Sequence, residues 1–97
     1  MTLSDFSTSL AGSAPPAGLS HELHALWHDA RGDWARAHET VQELETPAAA
    51  WVHAYLHRKE GDQGNARYWY LRAGQPVFTG PLETEWERIA GALLVNA

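Results

Sequence analysis

Apolar residues return with a helical period over residues 20–95, and no stretch alternates as a half-buried strand would. Leu23, Leu26, Trp27 and Ala30 fall at i, i+3, i+4 and i+7 behind Ser20, a capping residue, and predict a first helix. Asp33 can cap a second, with Trp34, Ala37, Val41 and Leu44 on one face. Thr46 and Pro47 open a third, which runs through Ala48, Ala49, Val52 and Leu56 to Glu60 and is stopped by Gly61. A fourth spans 63–73, capped by Asp62 and ended by Gly74 and Pro76. The last, over 81–95, carries the broad stripe Leu82, Trp86, Ile89, Ala90, Leu93 and Leu94. Residues 1–19 have no sustained period and read as a flexible tail in which Phe6 and Leu10 are the residues able to dock.

The chain also repeats itself. At an offset of twenty-nine residues His53, Ala54, Leu56 and His57 fall on His24, Ala25, Trp27 and His28, while Gly61-Asp62 falls on Gly32-Asp33, Ala66 on Ala37 and Pro76 on Pro47. Helix ends and small packing positions that recur together mark a helical-hairpin repeat. Gly61-Asp62, Ala66, Tyr70 and Ala73 resemble the tetratricopeptide repeat in their spacing, and the first copy keeps Gly32, Ala37 and Leu44 with Val41 in place of the aromatic. Residues 51–76 also resemble small bacterial proteins with a WVHAYLHRKEGD…YWY…RAG run. The resemblance implies an all-α domain over 20–97: a TPR-like pair of hairpins (20–46 and 47–76) followed by a C-terminal capping helix (81–95).

Helix four sets what that last helix must do. Tyr68, Trp69 and Leu71 stand where the first hairpin has Glu39, Thr40 and Gln42, so the outer side of this helix is apolar. The last segment is expected to cover it, since solenoids need terminal caps, and an uncovered face would favour a homodimer over a monomer.

Composition narrows the function classes. The 97 residues carry a net charge of −5 and no cysteine, which argues against nucleic-acid binding and rules out disulfide or thiolate chemistry. No window has the apolar length of a membrane span and no signal peptide is evident, so a cytoplasmic protein is expected. The charge is uneven: in the first hairpin Arg31 and Arg36 face six acidic residues, whereas in the second Arg58, Lys59, Arg67 and Arg72 face only Glu60 and Asp62. Mutual attraction of the two hairpins accounts for this more simply than an acidic partner does.

Candidate chemistry is sparse. Serines occur only up to Ser20, no nucleophile motif or phosphate loop is present, and an enzyme is not expected. Two features remain. In tetratricopeptide arrays one face of each first helix lines a groove, and the resemblance places Trp51, Tyr55 and Arg58 there, joined by Glu22, Leu26 and Asp29. Two amphipathic rings and a forked cation at i, i+4 and i+7 suit a peptide end or carboxylate, giving a non-enzymatic module for a protein or peptide partner without a cofactor. The second feature is the doubled His-x-x-x-His, His24/His28 and His53/His57, which puts two imidazoles on one face of each first helix. If the two pairs converge they make a metal site; if they diverge they are packing residues.

Overall fold

The computed structural model describes residues 1–95 and is all-helical over them. Six helices follow in order: α1 (Leu3–Ser9), α2 (His21–Ala30), α3 (Trp34–Val41), α4 (Pro47–Glu60), α5 (Gln63–Ala73) and α6 (Leu82–Val95). Helices α2 and α3 pack as one pair and α4 and α5 as another, with α3 against α4 joining them. None is long and apolar enough to cross a membrane.

The turns at Gly32-Asp33 and Gly61-Asp62 share one geometry. The Asp33 amide donates to the carbonyl of His28 and the Asp62 amide to that of His57, both at 2.9 Å. Between them Gly32 and Gly61 take φ of 88° and 93°, where a side chain would be strained. Each aspartate then turns round to cap the next helix, accepting the amide of Arg36 or of Asn65 at 3.1 Å. The same Gly-Asp pair therefore ends one helix and starts another in both copies.

Two expectations are corrected. Residues 3–9 are not a loose tail. Thr2 and Asp5 form a capping box that starts α1, and Phe6 is completely buried, its ring stacked at 5.6 Å on Trp86. The chain beyond is held by the Trp27 indole, which donates to Ser9 Oγ at 3.1 Å, and by Arg31, which donates to the Leu10 carbonyl at 2.7 Å. A seven-residue helix has too few turns to show a period, and its order comes from burying Phe6.

The second correction concerns α6. It packs on α4, α2 and α1, not along α5. Trp86, Ile89, Ala90 and Leu94 enter the core formed by Leu23, Leu26, Val52 and Leu56, and the Trp86 indole donates to the Leu26 carbonyl at 2.9 Å. The outer face of α5 stays uncovered, with Tyr68 50% and Leu71 81% exposed. This arrangement buries Trp86, Ile89, Ala90 and Leu94 of the α6 stripe against three helices at once, whereas the outer face of α5 is interrupted by Arg67 and Arg72.

Candidate functional site

Most of the residues expected to bind a partner make contacts within the protein, beside a cleft of about 370 Å³ that Asp29, Tyr55, Lys59, Leu82 and Trp86 line. Leu26 is fully buried and Asp29 and Tyr55 nearly so. The Tyr55 hydroxyl donates to Asp29 Oδ2 at 3.1 Å, and Lys59 Nζ donates to the same carboxylate at 3.1 Å. Burial, then the charge and hydrogen bond of Asp29, push the Tyr55 phenol well up, so it stays a donor. Arg58 is spent on α6 and its approach: it pairs with Glu85 Oε1 at 3.3 Å and donates to the Gly80 carbonyl. Glu22 accepts from the Thr46 hydroxyl at 3.3 Å, and Trp51, half-buried, borders a cleft of about 300 Å³ beside Phe78 and Arg88. Arg58, Tyr55 and Asp29 thus act as internal ties between helices. The Lys59–Asp29 contact is also where the basic second hairpin meets the acidic first one.

The histidines are arranged differently from either expectation. His24 and His28, both half-buried on α2, do not join His53 and His57; the third member is His38 of α3. Candidate ligand nitrogens of His38, His53 and His57 all lie within 4.8 Å of one another, and the Nε2 atoms of His38 and His53 are 3.0 Å apart. Four residues of helix separate His53 from His57, which brings their rings into a stack with centroids 4.7 Å apart. The same spacing puts Trp34 and His38 on one face of α3, stacked at 5.0 Å and 8°. The Trp34 indole donates to the Leu56 carbonyl at 2.8 Å, pinning α3 to α4 beside the imidazoles.

Indole and carboxylate groups fix these rings from outside. Trp69 of α5 stacks on His53 with centroids 3.9 Å apart. Glu60, in the last turn of α4, holds His57 Nδ1 at 2.6 Å. Burial, followed by the charges of His57 and His38, pushes His53 down to about 4, and burial also lowers His38. At neutral pH both are uncharged, the state in which an imidazole has a lone pair to give.

Sequence reasoning found His53 and His57 but missed His38, Trp34, Trp69 and Glu60. The signal for His38 is its place four residues after Trp34, on the side of α3 that a stacked second hairpin must cover. Three imidazoles without thiolates suit a borderline transition ion of the zinc class and are poor donors for magnesium or calcium. An ideal tetrahedral site with zinc–nitrogen bonds of about 2 Å places its nitrogens about 3.3 Å apart. The His38–His53 pair has to open by only a few tenths of an ångström. A second group, His57, Glu60 and Asp62, is also close, but Asp62 already caps α5.

No protein-family model, no curated protein and no solved structure matches this chain.

Proposed function

We propose that this is a small non-enzymatic metal-binding protein, holding a zinc-class ion on His38, His53 and His57 at the seam between two TPR-like hairpins. The observation that carries the reading is the convergence of three imidazoles, two of them 3.0 Å apart at Nε2. A histidine placed only for packing needs one good partner; here two tryptophans and a carboxylate orient three rings towards one another. The test is metal analysis and zinc titration of untagged protein. One ion per chain, lost in His38→Ala and in His53→Ala and kept in His24→Ala, is the expected result. No stoichiometric zinc in the wild type would sink the reading and leave the cluster a packing device.

A second reading rests on a separate observation, the exposed outer face of α5. Tyr68 and Leu71 project there, with Arg72 donating to the Tyr68 hydroxyl at 2.9 Å and lying over the Trp69 ring at 5.3 Å. An interaction module would have this exposed face to use. Light scattering that finds a dimer in the wild type and a monomer in Leu71→Asp supports it; a wild-type monomer at all concentrations removes its self-association form.

A further inference from the structure

The three-histidine site, on the metal-binding reading above, leaves one question of chemistry open: which nitrogen of His57 faces the ion. We propose that Glu60 decides it, as a positioning residue that takes the Nδ1–H of His57 and commits Nε2 to the metal.

Glu60 is the last residue of α4, where carbonyl groups without helical partners already make the local potential negative, and a carboxylate there is on the unfavourable end. Its neighbours Arg58 and Lys59 do not account for its side chain: Arg58 is turned to Glu85 and Lys59 to Asp29. The Glu60 carboxylate goes instead to His57, whose Nδ1 lies 2.6 Å from Oε2. That is the separation of a strong, charge-assisted hydrogen bond, with the ring nitrogen donating and the carboxylate accepting.

A neutral imidazole carries one proton. If that proton sits on Nδ1 in the bond to Glu60, Nε2 keeps its lone pair free. His38 and His53 meet Nε2 to Nε2 in a hydrogen bond, in which one of the two nitrogens carries the proton; with that proton moved to Nδ1, both would offer Nε2 to an ion, and His57 committed at Nδ1 would offer a third donor of the same kind. The carboxylate does more than fix the tautomer: pulling on the Nδ1 proton makes the opposite nitrogen a better donor, the usual reason for a carboxylate behind a ligating histidine. The side chain of Glu60 is 39% exposed while that of His57 is 9% exposed, so Glu60 lies on the solvent side of the ring and the ion on the other.

Zinc itself is the probe, with the full untagged chain. Affinity is measured by competition with a chromophoric chelator for the wild type, Glu60→Gln and Glu60→Ala. Long-range proton–nitrogen correlation spectra of the zinc-loaded wild type show which His57 nitrogen carries the ion. The expected result is zinc on Nε2, with affinity falling about 10–100-fold in Glu60→Ala and less in Glu60→Gln, which still accepts from Nδ1. The melting temperature of metal-free protein should not fall in either variant; a merely structural contact would lower it and leave affinity alone. Zinc on Nδ1 of His57, or unchanged affinity in Glu60→Ala, overturns the role of Glu60 while the site stands. A wild-type chain that takes up no zinc overturns the site and Glu60's role together.

Discussion

Replacing Phe6 by alanine tests whether α1 is part of the folded domain. The ring is completely buried and stacked on Trp86, which is itself held to α2 through the Leu26 carbonyl. Truncating a buried phenylalanine costs about 3–5 kcal/mol, of which the aromatic pair accounts for about 0.5–1.5. An upper limit comes from the topology. Helix α1 lies along α6, is tied to α2 through the Trp27–Ser9 bond and is joined to α2 by a non-helical segment, so it can undock without unfolding the rest. The loss cannot exceed the free energy of that docking, which also includes the bonds from Trp27 to Ser9 and from Arg31 to Leu10. We therefore expect about 3 kcal/mol, the lower end of the range, read as a shift in urea midpoint and a fall in Tm of about 12–24 °C for a domain of this size. Limited proteolysis should then cut between residues 10 and 20 in Phe6→Ala at a protease level that spares the wild type. A change below about 0.5 kcal/mol, the range of surface substitutions, would mean that α1 is not docked in solution.

The buried carboxylates give two further predictions. Burial pushes the Glu85 carboxyl above its ordinary value of 4.5, against the lowering effects of the Tyr70 hydrogen bond and of the Arg58 and Arg88 charges. A group raised in the folded state contributes stability that is full below about 4.5 and is lost as pH rises through the folded value, so the stability of the wild type minus that of Glu85→Gln should grow on acidification from pH 7 towards 4.5. A difference that shrinks would show that pairing outweighs desolvation at this site. For Tyr55→Phe, removing the hydroxyl leaves Asp29, 1% exposed, with Lys59 as its remaining side-chain partner; a loss of about 1–3 kcal/mol in urea unfolding is expected, and an unchanged midpoint would show that Lys59 alone satisfies the carboxylate.

Local signals were the legible part of the fold. Ser20, Asp33, Thr46-Pro47, Gly61-Asp62 and Gly74 act locally, through hydrogen bonds to residues close by in sequence, and each stands at the helix end it predicts. The position of α6 was not legible, because its stripe fits any apolar surface and two were on offer. What selects the α2/α4 side is a set of long-range polar contacts with those helices: Arg58 to Glu85 and to Gly80 ahead of α6, and Trp86 to the Leu26 carbonyl. None of these leaves a trace in periodicity. The same choice explains why the aromatic and cationic face at Trp51, Tyr55 and Arg58 looked like a binding surface. Amphipathic side chains that line a groove and those that lock a helix into it are chemically the same residues.

The candidate site was half legible for a related reason. A repeat places His24/His28 and His53/His57 at equivalent points, and equivalence by itself suggests four equal ligands. Equivalent positions have equal surroundings only inside an array. Here α2 leaves His24 and His28 half-buried. The second pair has α3 on one side and α5 on the other, so His53 and His57 are buried and meet His38, Trp34 and Trp69. The offset also maps His38 onto Arg67, which removes the third imidazole from the far side of the second hairpin. A two-copy repeat has one internal seam. The site belongs to that seam, and the count of histidines that can converge follows from the number of hairpins as much as from the motif.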